Sequence, residues 1–313
     1  MELTYTATAA DHGSRAVDVL IRRTGMSRLL SKKIRLYGQL TCNGMPFRMI
    51  DPVRAGDRLV AAYNPSPDCP PVLRDVPGVR ILYQDDWLLV ADKPAGMVTH
   101  PSYLHDTGSL TSLLADYPLH PVTRLDRDTS GVVLIARNGH AHYVLSCHPM
   151  EKQYLALVHG RFPAPDGLIQ IPIRRAPDSI ILREAGSPGA DARTVWHELR
   201  YFHQSGVSMI RFTLLTGRTH QIRVHTLACS CPLVGDSLYG LAALKGGGYP
   251  AIQASCSQAA AEIDFLISRQ SLHAYRLCFH HPVTGREQRV TAPVPEDFRR
   301  LLRHLLLRER ANP

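Results

Sequence analysis

The run Pro121–Asn138, PVTRLDRDTSGVVLIARN, sets a knot of charge directly against a long apolar stretch. Arg124, Asp126, Arg127 and Asp128 stand just ahead of Thr129-Ser130-Gly131, and Val132–Arg137 follows. A run so rich in β-branched and apolar residues, bounded by Gly and Asn, predicts a buried strand. Polar groups on a turn at the mouth of a buried strand are held rigidly, and reactive groups tend to sit there. An Asp is ionised near neutrality and serves as nucleophile or base. If buried, it needs a cationic partner to keep its charge. Spacing alone favours the plainer reading, a capped and salt-bridged turn.

Outward from this run the texture repeats. Val79–Tyr83, Trp87–Ala91, Tyr154–Val158 and Val207–Leu215 are further short β-type runs. Helical spacing is expected over Gly108–Tyr117, Ala141–Met150 and Pro295–Arg310. The mix predicts an α+β protein with a large, mixed but mainly antiparallel sheet. Asn64–Gly78 holds five prolines and reads as a linker or extended arm. Residues 241–268, with Gly246-Gly247-Gly248, read as a flexible surface insertion. The domain expectation is a module over 1–63, a Pro-rich linker over 64–78 and a main domain over 79–313.

Composition narrows the function. The chain has 313 residues and a formal charge of +9, which points to a polyanionic partner such as nucleic acid. No apolar run reaches the ~20 residues of a membrane span, so no membrane partner is expected. Residues 1–13 lack the pattern of a secretory signal. The seven cysteines are odd in number and scattered, which reads as reduced thiols in a cytoplasmic protein. Cys229-Ser230-Cys231 has no second pair to complete a zinc site, so no metal is expected.

Ser14–Tyr37 holds Arg15, Arg22, Arg23, Arg28, Lys32, Lys33 and Arg35 against Asp18 alone. Two short helices fit, broken near Gly25, with Ser27 or Ser31 as a cap. Gln39–Asn43, the turn Asn43-Gly44 and Arg58–Tyr63 predict a small β element. A basic helix face meets phosphates without reading sequence. It is equally often a merely solvated face, and charge alone does not decide.

Two further segments concentrate polar groups. Leu215–His225, LTGRTHQIRVH, brings Arg218, His220, Gln221, Arg223 and His225 together after a Thr-Gly turn. Read as a strand, it would put Gln221, Arg223 and His225 on one face. An Arg there is a natural partner for a carboxylate or phosphate. The two His read as hydrogen-bonded structural residues. Glu151–Gly160, EKQYLALVHG, starts a strand with Lys152 and Tyr154. A Tyr beside a Lys stacks on a base and holds a backbone, although a core Tyr is the commoner case.

Together these segments resemble the RluA-type RNA pseudouridine synthases. Arg124-Leu125-Asp126-x-x-Thr129-Ser130-Gly131 is similar to that family's catalytic motif, Lys152-x-Tyr154 with Gly160 to its tyrosine motif, and Thr216–Arg223 with His225 to its arginine motif. Asp92–Gly96 with His100-Pro101, Gly235-Asp236-x-x-Tyr239-Gly240, and Leu272-His273-Ala274 with His281-Pro282 follow in order, so the resemblance spans residues 79–300. The family usually has His before Arg-Leu-Asp, where this chain has Thr123. The N-terminal order of helix, Ser27-Arg28, helix, Gly38, strand, Asn43-Gly44 resembles the S4 RNA-binding module.

The resemblance implies isomerisation of uridine to pseudouridine within structured RNA, ribosomal RNA being favoured over tRNA, with no cofactor and a monomeric enzyme. It implies Asp126 as the carboxylate acting at the sugar, Arg223 as its partner, and Tyr154 against the uracil with a part in removing the C5 proton. Arg124, Arg127, Thr129, Lys152, Arg218, His220 and Gln221 would contact substrate or RNA. Arg22, Arg23, Arg28, Lys32, Lys33 and Arg35 would be the RNA contacts of the S4-like module. Two other readings compete. One is a non-catalytic RNA-binding assembly protein that kept the fold. The other is a glycosidic hydrolase, which needs two carboxylates flanking the bond; only Asp128 is close in sequence to Asp126.

Overall fold

The computed structural model describes residues 2–63, 73–101, 108–177, 179–241 and 258–311. Residues 64–72 of the expected linker and 242–257 of the expected insertion, with Cys69 and Cys256, lie outside the described residues.

The first elements are β1 (Glu2–Thr6), α1 (Ala16–Thr24), α2 (Arg28–Tyr37), β2 (Gln39–Cys42), β3 (Met45–Pro46) and β4 (Arg58–Ala62). The strands form one sheet in the order β1-β4-β2-β3. Gly25, in the left-handed region at φ 68°, ends α1, and Ser27 caps α2 by accepting the Leu30 N–H at 3.1 Å. Val19 and Leu20 of α1 and Leu30 and Ile34 of α2 are buried in one core with Leu3, Leu40 and Leu59 of the sheet. That packing leaves Arg28, Lys32, Lys33 and Arg35 exposed. β1 has no counterpart in the sequence reading, because its short run buries only Leu3 fully.

The remaining elements are β5 (Arg80–Gln84), β6 (Leu88–Lys93), α3 (Leu110–Leu114), β7 (His120–Pro121), β8 (Ser130–Ala136), α4 (Gly139–Cys147), β9 (Glu151–His159), β10 (Asp166–Gln170), β11 (Ile173–Arg175), β12 (Arg183–Ala185), β13 (Arg193–Phe202), β14 (Val207–Leu214), α5 (Gln221–Ala228), α6 (Gln258–Asp264), β15 (Leu272–His280), β16 (Glu287–Thr291) and α7 (Glu296–Ala311). Ten strands make a sheet ordered β10-β13-β14-β9-β15-β8-β6-β5, with β16 on β15 and β7 on β8. Every neighbouring pair is antiparallel except β15 and β8. The fold is therefore α+β with a mainly antiparallel central sheet. The separate pair β11 and β12 lies off it.

The parallel junction depends on Gly131. Its φ is +116°, and a Cβ there would sit 2.2 Å from the Ala274 carbonyl oxygen. Only glycine admits that approach. β8 is buried at every position, as its apolar run predicts. Val132, Leu134 and Ala136 pack with Ala141 and Leu145 of α4, while Val133 and Ile135 pack with Leu110 and Leu114 of α3. Along β9 the same alternation puts Ala156 and Val158 with Ile222 of α5, and Leu155 and Leu157 with Phe298, Leu301 and Leu305 of α7. The sheet thus carries α5 on one face and α7 on the other.

Three expectations need correction. The helix expected over Gly108–Tyr117 is only Leu110–Leu114. The described end of the expected surface insertion is anchored in the core on one side: Ala260, Ile263 and Ile267 are buried, while Phe265 and Leu266 stay exposed. The strand expected through Gln221–His225 is the helix α5. Gln221 through Leu227 are all buried, so α5 shows no polar face and no helical period to read.

Candidate active site

The turn that bears Asp126 is fixed from four sides. Thr99 Oγ1 accepts the Leu125 N–H and donates to the Leu125 carbonyl, both at 3.1 Å. The Lys93 ammonium donates to the Arg127 carbonyl at 3.0 Å and to Pro94 and Met97 at 2.8 and 2.7 Å. Arg269 donates to the Asp128 carbonyl at 3.1 Å, and Gln270 to Thr129 Oγ1 at 3.2 Å. Lys93 is wholly buried, its three hydrogens met by three carbonyls. Burial pushes its pKa down to about 7, although Asp126 and Asp128 pull the other way.

Arg223 on α5 faces this turn. Its Nη1 donates to Asp126 Oδ2 at 3.2 Å. Its Nε and Nη2 form a fork on Asp236 at 2.7 and 2.8 Å. Asp236 Oδ1 also accepts the backbone N–H groups of Leu238 and Tyr239, each at 2.9 Å, and the Tyr239 ring lies 5.0 Å from the guanidinium. The side chains are 25% exposed for Asp126, 5% for Arg223 and 0% for Asp236. The gradient is informative: Asp236 is the buried anchor, Arg223 the aligned cation, and Asp126 the carboxylate left facing the cavity. Burial opposes the charge on Arg223, but the hydrogen bonds and charge of Asp236, with Asp126 beyond, hold its pKa above the ordinary value.

The cavity has a volume of about 520 Å³ and is lined by His100, Arg124, Asp126, Tyr154, His220 and Arg223 among others. That is within the usual range for a small-molecule site. Tyr154 on β9 forms part of its wall, and burial followed by the charge of Asp126 raises the phenol's pKa above its ordinary value. His220 stands at the start of α5 with a positive φ of 57°, its Nε2 3.9 Å from Asp126 and its Nδ1 2.8 Å from the Tyr239 hydroxyl. Burial lowers its pKa despite Asp126, so the ring is neutral near pH 7.

The other expected contacts divide. Thr129, Lys152, Arg218 and Gln221 also line the cavity. Arg124 is exposed and reaches His100 at 3.5 Å. Gln221 is committed to the loop: its amide holds Thr216, Arg218, Arg193 and Thr194. Arg127 pairs with Asp128 at 3.1 Å and is not among the lining residues. His225 bonds Thr194 and the Ile171 carbonyl, the structural role expected of it. Among the described residues no group of three or more His, Cys, Asp or Glu is placed to hold a metal ion. In the N-terminal module Arg22 and Arg23 lie against buried Asp11, at 4.0 and 3.0 Å. Lys33 stands 6.0 Å from the Tyr63 ring centroid. Sequence reasoning noted Asp236 and Lys93 only as motif members; their roles as anchor and brace require the fold.

The enzyme class of this mainly antiparallel α+β chain follows from the proteins it is similar to. The family model described as RNA pseudouridylate synthase matches residues 87–228, which include Asp126, Tyr154 and Arg223. Uncharacterized RNA pseudouridine synthase YjbO of Bacillus subtilis is 33% identical over 292 residues, covering 89% of this chain and 95% of that protein. Ribosomal large subunit pseudouridine synthase D of Xanthomonas campestris pv. campestris is 35% identical over 277 residues, covering 85% of this chain and 80% of that protein. The solved structure of Human RNA Pseudouridylate Synthase Domain Containing 1 shares the fold, with a TM-score of 0.53 and 24% identity over 75% of this chain and 96% of that one. The chain belongs to the RNA pseudouridine synthase family.

Proposed function

We propose that this enzyme isomerises a specific uridine in ribosomal RNA, with Asp126 acting at the ribose. The observation that carries the reading is the Asp126–Arg223 pair, with Arg223 clamped by Asp236 at the floor of a cavity of nucleoside size. The N1–C1′ bond breaks, the uracil turns in place, C5 bonds to C1′, and the proton lost from C5 to solvent is matched by one gained from solvent at N1. Atoms and electrons balance without an oxidant or energy source. Arg223 keeps the carboxylate aligned while charge shifts between sugar and base. Tyr154 walls the uracil; burial and then the charge of Asp126 raise its pKa, so the phenol is protonated at neutral pH. Arg124, exposed at the cavity, holds the extruded nucleotide out of its stack, which costs a few kcal/mol.

Ribosomal RNA is favoured by the printed names of relatives that act on the ribosomal large subunit, and by the exposed cations of the N-terminal module, which we read as an S4-like RNA-binding unit. Among the described residues the hydrolase reading finds no opposed pair of carboxylates lining the cavity. Asp128 pairs with Arg127 and does not line the cavity, and Asp236 lies behind Arg223. Incubation with ribosomal RNA free of modification, followed by mapping of pseudouridine, tests the proposal. One new pseudouridine with wild type and none with Asp126→Asn is the expected result; none with wild type refutes it.

A further inference from the structure

A second cavity, of about 610 Å³, opens beside the first. The two share Val122, Thr123, Lys152 and Leu214 as a common wall. Beyond that wall lie His148, Met150 and Leu215, with the carboxylates of Glu151 and Glu287. Nothing in the reaction at Asp126 requires this space.

Lys152 is the informative residue. It is the second residue of β9, two positions before Tyr154, and its side chain borders both cavities. Among the described residues its ammonium has no hydrogen bond and no ion pair. Burial lowers its pKa. A half-buried ammonium without a counter-ion, placed between two nucleotide-sized spaces, suits a bridging phosphate. The second space itself does not suit one, because Glu151 and Glu287 supply negative charge there. Carboxylates accept hydrogen bonds from exocyclic amino groups, and apolar Met150 and Leu215 offer surface for a ring.

We infer that this second cavity is a subsite for the base of a nucleotide adjacent to the target uridine, an amino-bearing base rather than another uracil, with Lys152 on the phosphate between them. The inference rests on the assignment of the first cavity to the target uridine. The enzyme would then unstack two consecutive residues, as proteins do when they read single-stranded RNA. Sequence preference at one flanking position follows from it.

The test uses the full chain and a short RNA carrying the uridine mapped as above. Each of two positions on either side of that uridine is replaced in turn by an abasic nucleotide, and by uridine, and kcat and KM are measured. One position adjacent to the target should lose about tenfold in kcat/KM when abasic, mainly through KM, and also when it is uridine; a base contact of ordinary strength has that size. Leu215→Trp, at a side chain 54% exposed, should bring intact RNA down by a similar factor. The abasic change should then cost Leu215→Trp nothing further, since both remove one interaction. A flat scan, or losses that multiply, would overturn the subsite while leaving the first cavity's role intact. No conversion of any RNA by wild type would overturn that role instead, and the subsite with it.

Discussion

Two arginine-rich regions of this molecule use the same charge in opposite ways. In the cleft, Arg223 is buried and fully engaged, with Asp236 behind it and Asp126 in front. On the N-terminal helices, Arg28, Lys32 and Arg35 are exposed, and among the described residues no ion pair ties them to a carboxylate. The first arrangement fixes one geometry and is little affected by salt; the second gives reach without register and is strongly screened. The difference separates positioning from attraction, and kcat from KM.

The sharpest way to break this comparison is Arg223→Met. It leaves Asp236 buried without its cation, which should cost about 3–5 kcal/mol of stability. It should also lower kcat by at least ~10²-fold through misalignment of Asp126. Arg223→Met with Asp236→Asn should recover part of the melting temperature but none of the kcat. Arg223→Lys should keep a charge yet lose the fork, and so recover stability more than rate. If the double variant regained activity, Arg223 would be a structural residue only.

Neutralising the other region should act on the other parameter. Changing Arg28, Lys32 and Arg35 together to Gln should raise KM for long RNA about tenfold or more and leave kcat within twofold. Each lost phosphate contact should flatten the log–log salt dependence by roughly 0.7–0.9. Equal losses in kcat would mean that the module shapes the active site rather than recruiting RNA.

How far the sequence showed this contrast depends on the element. The basic face of α2 is legible because its apolar positions follow a clear helical spacing, and Ser27 and Gly38 mark its ends. β8 was legible because it is apolar at almost every position. α5 reads as a strand from its sequence, although Arg223 on it stands out; a helix buried all round offers no period. The pairing of Arg223 with Asp126 joins residues 97 apart in the chain, and spacing carries no trace of such a contact. Asp236 could have been found by asking what satisfies the rest of a buried guanidinium. Lys93 gives no local signal, since its partners are backbone carbonyls from two separated loops.

The smallest expected effect comes from a residue in neither region, which makes it a control. His140 is 2% exposed, both ring nitrogens lack a protein partner among the described residues, and burial pushes its pKa down to about 4. Its folded pKa lies below the unfolded value of about 6.5, so the unfolded state binds the proton first. Stability should therefore fall as pH drops from about 6.5 towards 4. His273, also pushed down to about 4 by burial, adds to the same slope. His140→Phe should stabilise the fold by about 1–2 kcal/mol at neutral pH and flatten part of the acid slope in melting curves. Its kcat and KM should stay within twofold. An unchanged acid slope would mean that His140 does not carry it.

The most direct measurement compares Asp126→Asn with wild type under single-turnover conditions, enzyme in excess over the RNA, with RNA affinity measured in parallel. Asn keeps the size of the side chain and removes its charge. Pseudouridine formation should fall by at least ~10³-fold while RNA affinity stays within a few-fold. Conversion at more than a tenth of the wild-type rate would contradict the account, because the carboxylate that Arg223 holds in the cavity would then not be the group that acts on the sugar.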